Sequence, residues 1–315
     1  MLSEEELDII VNSKTLNVGE RMKDLGRKTI TVIAVVLLLI SGNYLGKVQW
    51  ASFLAAQNTN KLAKLYTASE ETGDSGILKA FLALLEINPD TKAWIVIENA
   101  NVNNVVVQKP GEVATSPTDY HYLHSDFNNN PSKSGTLFFG PDNVIERDQT
   151  SQNLTIHGHS MRNGQMFGTL KEFRDLDFYK ENPLIRMDTL YERGVYEIFS
   201  VIITNADPTD DNGQFFDYTV PDFETQEEFI DFVSELKKRS MHDIPVDVEE
   251  GDQILTLSTC EYDFTSARLV IVARKVKEGE SEDVQTVDAV NNPNTLFPQA
   301  WYDRYGGTKP SFDEG

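Results

Sequence analysis

One cysteine, Cys260, is the residue of this chain best suited by type and setting to act as a nucleophile. It ends the strand-like run TLSTC, and Arg268 opens the next apolar run. Because side chains alternate along a strand, Thr256, Ser258 and Cys260 share one face, which is therefore mostly polar. A free cysteine is commonly a small buried hydrophobe, but such a residue more often has apolar neighbours. The polar face favours a thiol used in chemistry, with an inert core cysteine as the alternative.

A thiol nucleophile needs a nearby base or cation, and an imidazole is the usual choice. Of the five histidines, His157 and His159 flank Gly158 at the end of another strand-like run. Their spacing is also compatible with a metal site, but no further Cys, His or acidic cluster completes such a site. We therefore predict that neither a metal nor another cofactor is used.

A long apolar run near the amino terminus indicates in which cellular compartment the rest of the chain lies. Residues 29–45 carry no charge and would span about 25 Å as a helix at ~1.5 Å per residue, enough to cross a bilayer. A cleaved signal is the alternative, but 28 residues precede the run and the cleavage pattern is weak. Basic residues cluster before the run and only Lys47 follows closely, which puts the amino terminus in the cytoplasm. We predict a single transmembrane anchor in the cell membrane, with the chain beyond about residue 50 extracellular.

The charge and the cysteine count restrict the possible partners. The formal net charge of −22, from 28 basic and 50 acidic residues, argues against binding to nucleic acid or anionic surfaces. An extracellular domain with one cysteine cannot form an internal disulfide, so the thiol is either free or paired between chains. A free external thiol indicates use in chemistry.

The extracellular part is predicted to be mainly β with added helices. Its short β-branched runs are separated by Asn, Pro, Gly and Asp clusters, a pattern typical of a barrel or a sandwich. The runs are 94–97, 105–108, 136–139, 154–157, 195–204, 254–259 and 269–273. Two helices, 52–69 and 77–87, precede them with a break at Thr72-Gly73-Asp74.

Two further segments lie between and after the strands. Residues 225–239 have apolar positions at helical spacing, and Thr225 with Glu228 predicts a capping box at the start of a helix. The tail after Val276 is acidic and later rich in Asn, Pro and Gly, which predicts a loosely packed extension. Its aromatic residues indicate that part of the tail docks on the domain.

Several of these features occur together in one known family. Cys260 and Arg268 are combined with Gly158-His159 and a following segment that contains Met161, Arg162, Asn163, Gly164, Met166, Phe167 and Gly168. In these residues the chain resembles the sortases, specifically class B. Further matching segments are Asn88-Pro89-Asp90, 122–127 and 132–136, and the resemblance covers roughly residues 67–277.

The resemblance implies a domain organisation. We expect a cytoplasmic tail at 1–28, the anchor at 29–45 and amino-terminal helices within 46–90. A sortase-type eight-stranded β-barrel would follow at 91–277, with a helix inserted between late strands. The segment 278–315 would be an acidic, partly disordered tail.

The resemblance also implies an activity. Cys260 would attack the threonine carbonyl of a sorting signal on a secreted protein, and an amine of peptidoglycan or its lipid-linked precursor would resolve the thioester. His159 would act as general acid and base, and Arg268 would donate to the developing oxyanion. The residues expected to line the signal groove are Leu123, Ser258, Thr259 and Glu261, and the Glu261 amide would help to form the oxyanion hole.

Two positions depart from the family pattern. Asp119 stands where some class B members have an asparagine, and Tyr262 stands where some have an aspartate that could orient the histidine. These departures leave the signal preference and any third member of a triad open. The alternative functions are a pilin-polymerising sortase, a cysteine peptidase, and a membrane-anchored scaffold with a structural thiol.

The tail contains a run with a possible regulatory meaning. Asn292-Pro293-Asn294-Thr295 is similar to the Asn-Pro-x-Thr part of class B sorting signals. It could occupy the groove as a pseudosubstrate. A chance match in an Asn- and Pro-rich tail is the alternative.

Overall fold

The computed structural model describes residues 4–66, 71–73, 75–113, 118–208 and 215–312. The chain divides into two units, Met1–Ala55 and Ala56–Gly315. Helix α1, Glu4–Leu65, contains the run Leu25–Lys47, which has a mean hydropathy of 2.0 and is long and apolar enough to cross a membrane. By length and composition this run fits a membrane anchor or a signal sequence. The predicted helix 52–69 is part of α1 and ends at Leu65, while residues 67–70 lie outside the described residues.

The second unit is built on a closed barrel of eight strands, which confirms the predicted barrel and excludes a sandwich. Its strands are β1 (Thr91–Ile97), β2 (Val102–Val107), β3 (Leu137–Phe139), β4 (Asn153–Gly158), β5 (Leu184–Thr189), β6 (Val195–Asn205), β8 (Ile254–Cys260) and β9 (Ala267–Lys275). They follow one another around the barrel in the order β1-β2-β3-β4-β8-β9-β6-β5. A separate pair joins β7 (His242–Asp243) to β10 (Val290–Asn291).

Strand β5 closes the barrel, and the sequence did not predict it. It pairs antiparallel with β1 on one side and with β6 on the other. Ile185 and Met187 face the core, but Arg186 and Asp188 interrupt the run, so it lacks the β-branched character of the other strands. Its place in the barrel follows from pairing with neighbours that are distant in sequence.

Short helices cover the barrel. The predicted helix 77–87 is a 3-10 turn at Lys79–Phe81 followed by α2 at Leu82–Ile87, and α3 spans Leu176–Glu181. Phe81 and Leu84 pack with Trp94 and Phe138 in a hydrophobic cluster outside the main core. Burial of each such side chain contributes about 1.5–3 kcal/mol.

The helix inserted between late strands is α4, Gln226–Arg239. The Thr225 hydroxyl accepts a hydrogen bond from the Glu228 amide at 3.2 Å, as predicted for a capping residue. The Glu228 carboxylate in turn accepts from the Glu224 amide at 3.0 Å rather than from that of Thr225. Phe229, Val233 and other apolar residues of α4 are buried in the main core.

The tail after Val276 is packed more closely than its composition predicts. It adds strand β10 to β7 and forms helix α5, Gln299–Tyr305. Ala289 is fully buried, and Phe297 and Trp301 pack against the main core with their rings stacked 4.1 Å apart. These apolar residues are too widely spaced to show a periodic pattern, which is why the sequence indicated a loose extension.

The Asn292-Pro293-Asn294-Thr295 run lies against the end of α4, so the pseudosubstrate interpretation is wrong for this structure. The Asn292 side chain donates to the Ser240 carbonyl at 2.8 Å, and the Thr295 hydroxyl donates to the same carbonyl at 3.2 Å. The Asn294 amide donates to the Asn292 side chain at 2.8 Å, which forms a local turn. The run anchors the tail to the domain.

Gly158 at the end of β4 is required by close packing, and we expect Gly158→Ala to destabilise the domain by about 1–3 kcal/mol. A Cβ at this position would lie 2.3 Å from Leu137 Cδ2 and 2.9 Å from Phe167 Cδ2. The loss would be measured as a lower midpoint of urea unfolding. Gly111→Ala is the control for a glycine in open space with positive φ, where only backbone strain is added. Equal stability of Gly158→Ala and the unmodified protein would contradict this packing argument.

Candidate active site

The pairing of β8 with β9 brings the thiol and the guanidinium together. Cys260, the last residue of β8, is the direct Cα partner of Arg268 in the antiparallel ladder. Direct partners in such a ladder point to the same face, so both side chains are on one face of the barrel wall. Cys260 is a free, partly exposed thiol.

The parallel pairing of β4 with β8 brings the histidine to the same place. Gly158 is the Cα partner of Thr259, so His159 follows β4 beside Cys260 at the end of β8. By alternation, His157, His159 and Cys260 belong to one face. Three adjacent strands therefore present an imidazole, a thiol and a guanidinium at one end of the barrel wall.

The loop after His159 closes on itself and fixes the histidine backbone. The Phe167 amide donates to the His159 carbonyl at 3.0 Å, and Ser160 forms a β-bridge with Met166. Phe167 is fully buried. Gly168 has no room for a side chain, because a Cβ there would lie 2.0 Å from the Met161 carbonyl oxygen. The residues that carried the family resemblance thus form the support of His159.

The His159 ring is oriented by a backbone carbonyl. Its Nε2 lies 2.9 Å from the carbonyl oxygen of Leu123, in the 3-10 turn His121–Leu123. Because a carbonyl can only accept, Nε2 carries the proton and Nδ1 of the neutral ring is the atom that can take one up. Tyr262, one of the two positions that depart from the family pattern, is 68% exposed.

The buried side chain of Tyr122 fixes the 3-10 turn that presents the Leu123 carbonyl. The buried Tyr122 hydroxyl donates to Asp90 at 2.7 Å and accepts from the Asn88 side chain at 2.9 Å. Gly135 packs so closely beneath this turn that a Cβ would lie 2.6 Å from the Tyr122 carbonyl oxygen. The Asn88-Pro89-Asp90 motif therefore helps to position the acceptor for His159.

Burial lowers the pKa of His159 below its usual value; the hydrogen bond to the Leu123 carbonyl opposes this shift, and the electrostatic interaction with His124 adds to it. The neutral ring is consequently favoured at neutral pH. We expect the acid limb of the kcat/KM profile, which reports the free enzyme, to have its midpoint below pH 6.5. Activity would fall as pH drops through that midpoint, because the base becomes protonated. A midpoint above pH 7 would contradict this environment for His159.

His157 lies one strand position before Gly158 and has a different environment. Its ring stacks on Phe138 at 5.5 Å and on Tyr120 at 5.8 Å. Burial lowers the pKa of His157 to about 4, and the positive charge of Arg268 adds to the shift. A ring that stays neutral and packs against two aromatic rings is poorly suited to proton transfer near neutral pH.

The two histidines also do not form a metal site with other ligands. Their rings have separate partners, the aromatic pair for His157 and the Leu123 carbonyl for His159. Within the part of the chain that the structure describes, no group of three or more His, Cys, Asp or Glu residues is placed to hold a metal ion.

Ser258 and Thr259 have different positions despite being neighbours. Ser258 shares the Cys260 face, and its hydroxyl lies 2.9 Å from the hydroxyl of the buried Tyr218. Thr259 points to the opposite face and donates to the Gly158 carbonyl at 2.7 Å. The expectation that the Thr259 side chain lines the groove is therefore corrected, since it supports the pairing of β4 with β8. Tyr218 was missed because it lies in a loop without a sequence pattern.

Glu261 is engaged on both its backbone and its side chain. Its amide donates to the Ala267 carbonyl at 3.0 Å within the β8–β9 hairpin, so this amide is not available as an oxyanion donor in this conformation. Its carboxylate lies 3.8 Å from Arg174, which forms a closer ion pair with Asp263 at 2.9 Å. Glu261 thus contributes to the shape of the hairpin.

Arg268 is held near the thiol by the hairpin itself. Its guanidinium donates to the carbonyl of Ala267 at 3.0 Å and to that of Ser266 at 3.4 Å. These bonds use one nitrogen, Nη1, and a planar guanidinium has further donors to direct at a substrate oxygen.

We expect Arg268→Lys to lower kcat about 100-fold while KM changes little, because an ammonium cannot reproduce the planar fork at a developing oxyanion. Steady-state kinetics with a sorting-signal peptide would measure this. Arg274→Lys, on the same strand but paired with Glu197 and Glu280, is the control and should leave kcat within about twofold. A change in KM alone would instead indicate a role in ground-state binding.

These strands and residues match a known family. A family model of the sortase domain matches residues 95–276, more than half of the chain, and includes His159, Cys260 and Arg268. The chain therefore belongs to the sortase family of cysteine transpeptidases.

The relatives of this chain indicate class B within the sortase family. Sortase B of Staphylococcus aureus is 27% identical over 250 residues, which cover 79% of this chain and 96% of that protein. Sortase B of Listeria monocytogenes is 26% identical over 260 residues, covering 81% and 99%.

Solved structures of class B enzymes have the same fold. Sortase B from Bacillus anthracis aligns with a TM-score of 0.61 at 27% identity, covering 72% of this chain and 99% of that one. A Staphylococcus aureus sortase B–substrate complex aligns with a TM-score of 0.61 at 26% identity, with the same coverage. The protein described here is a class B sortase.

Proposed function

We propose that this sortase cleaves a sorting signal at its threonine and transfers the protein to a cell-wall amine. The Cys260 sulfur attacks the threonine carbonyl carbon, and the amide bond to the next residue breaks to leave a thioester. His159 takes the thiol proton as the sulfur attacks and gives it to the departing amine; it later takes a proton from the incoming amine and returns it to the sulfur. Attack of that amine breaks the C–S bond, forms a new amide and regenerates the thiol.

The observation that supports this proposal best is the convergence of three strand ends on one face. Cys260 and Arg268 are direct partners, and His159 extends from the strand on the other side of β8. Arg268 would donate to the carbonyl oxygen as negative charge develops on it. Ser258, Tyr218 and Leu123, which adjoin this face, would contact the bound signal.

The apolar run in α1 would anchor the enzyme in the cell membrane with the amino terminus in the cytoplasm. Basic residues before the run and the sparse positive charge after it support this orientation. The catalytic domain would then meet secreted clients and the peptidoglycan precursor on the outer side. The −22 net charge is consistent with partners other than nucleic acid.

Mass spectrometry of the intact protein would test the proposal. After mixing with Asn-Pro-x-Thr or Leu-Pro-x-Thr peptides, the chain should gain the mass of the acyl fragment, located on Cys260 after digestion. Added triglycine or another cross-bridge amine should remove the adduct and give an amide product. If neither peptide series produces an adduct, the proposal fails for these signals and this nucleophile.

The same reaction separates the alternatives. A cysteine peptidase would release hydrolysed product even with ample amine present. A pilin polymerase would prefer a lysine side chain of a folded subunit to a small amine. A scaffold with a structural thiol would form no adduct.

A further inference from the structure

The carboxyl-terminal tail lies beyond the shared domain but contacts the part of the structure that carries the catalytic residues. The family match ends at residue 276, and the tail continues from there through β10 and α5. The hydroxyl of Tyr305, at the end of α5, lies 3.2 Å from the carbonyl oxygen and 3.3 Å from a carboxylate oxygen of Asp263, which share its one hydrogen as acceptors. Asp263 belongs to the turn that joins Cys260 to Arg268.

The same turn is held by Arg174. Arg174 forms its ion pair with Asp263 at 2.9 Å, and the Asp263 side chain is 11% exposed, which limits screening by solvent. Arg174 ends the 3-10 segment Leu170–Arg174, which follows the supporting loop of His159. Asp263 is therefore held from two directions, by the tail and by the chain that comes from His159.

The tail also contacts the 3-10 segment Leu170–Arg174 through the side chain of His242. Asn291 in β10 lies 3.0 Å from Nδ1 of His242, and Nε2 of the buried His242 lies 2.9 Å from the Phe173 carbonyl oxygen. Phe173 directly precedes Arg174. Between Asn291 and Tyr305, the stacked rings of Phe297 and Trp301 pack the tail against the domain. The ring centroids of Trp301 and Tyr305 lie 4.7 Å apart.

We propose that the tail is a brace that positions the catalytic hairpin, with Tyr305 and Asp263 as positioning residues. This inference rests on the proposed roles of Cys260 and Arg268. The Arg268 guanidinium is held by the carbonyls of Ser266, in the same turn, and of Ala267, where β9 begins, so the shape of the turn affects where its remaining donors point. A turn released at Asp263 would leave Arg268 less well aligned with the developing oxyanion, where small displacements are costly.

Because the affected interaction strengthens in the transition state, the brace should act on kcat more than on KM. In the full-length protein, we expect Tyr305→Phe to lower kcat for signal-peptide transfer about 3- to 10-fold, the factor carried by one ordinary hydrogen bond. KM should stay within about twofold. The rate of Cys260 alkylation by iodoacetamide should change as well, and this rate needs no sorting signal.

Tyr302→Phe is the matched control. It removes the same hydroxyl from the same helix, but that hydroxyl accepts from the Phe297 amide and donates to the Thr295 carbonyl, both within the tail. It should leave kcat and the alkylation rate unchanged. Asp263→Asn should lower kcat further than Tyr305→Phe, since it also weakens the pair with Arg174. The double variant should lose less than the product of the two single losses.

The midpoint of thermal unfolding, measured for each variant, distinguishes an effect on the position of the hairpin from an effect on the stability of the fold. The brace is contradicted if Tyr305→Phe turns over like the unmodified protein, if Tyr302→Phe loses as much, or if a lowered midpoint accounts for the loss. Cys260→Ala in the same assay distinguishes the two levels of inference. If Cys260→Ala still turns over the peptide, the proposed function itself is contradicted. If Cys260→Ala is inactive but Tyr305→Phe is fully active, only the proposed brace is contradicted.

Discussion

Replacement of Cys260 with alanine is expected to lower the rate of peptide transfer by about 10⁴-fold or more, because the substitution removes the thiol that would carry the acyl group. Cys260 is a free cysteine that is partly exposed at the end of β8. The substitution leaves little cavity, so the unfolding midpoint should be nearly unchanged. Chromatographic quantification of the amide product would measure the loss.

Cys260→Ser sharpens this experiment. It keeps the size of the side chain and its contacts, but a hydroxyl is a far weaker nucleophile than a thiol near neutral pH. We expect no accumulated acyl adduct and a loss of rate close to that of the alanine variant. Retention of more than about 1% of the activity by the alanine variant would mean that another group forms the covalent bond.

The second large effect is expected at His159, where alanine should lower kcat about 1,000-fold, within the range for a general acid and base. The ring is aligned by the Leu123 carbonyl, and Nδ1 is the nitrogen left for proton transfer. The acid limb of the kcat/KM profile should disappear in this variant, because the group that titrates is gone. A pH series with one peptide and a fixed amine concentration would measure both effects.

The neighbouring histidine provides the control. His157→Phe keeps an aromatic ring packed against Tyr120 and Phe138 and removes the imidazole nitrogens. We expect its kcat to stay within about fivefold, since contacts of this kind are worth only ~1 kcal/mol. Should His157→Phe lose as much as His159→Ala, the assignment of the acid and base between the two would have to be reversed.

The sequence predicted the parts of this site that depend on local pattern. Runs of β-branched residues located β4, β8 and β9, and strand alternation put Ser258 and Cys260 on one face. Alternation also put Thr259 on the opposite face, where the structure has it, although the family resemblance had suggested a place in the groove. The physical rule of alternation was the better guide at that position.

Other parts of the site depend on features that a sequence pattern does not carry. The parallel register that joins Gly158 to Thr259 is a long-range pairing, and spacing along the chain does not specify it. The acceptor for His159 is a backbone carbonyl, which every residue possesses, so no side-chain pattern could mark Leu123 for this role. Tyr218 and Tyr305 lie in segments without periodicity and acquire their partners only through tertiary packing.

The parallel pairing of β4 with β8 has a consequence for biogenesis. Parallel strands need a long connection, and here α3, β5, β6 and α4 all lie between the histidine and the thiol. His159, Cys260 and Arg268 cannot come together until β8 has formed and paired with β4 and β9. Such non-local pairing forms slowly, after much loop-closure entropy has been overcome. A partly folded chain in which β8 has not yet paired with β4 and β9 is therefore expected to be inactive.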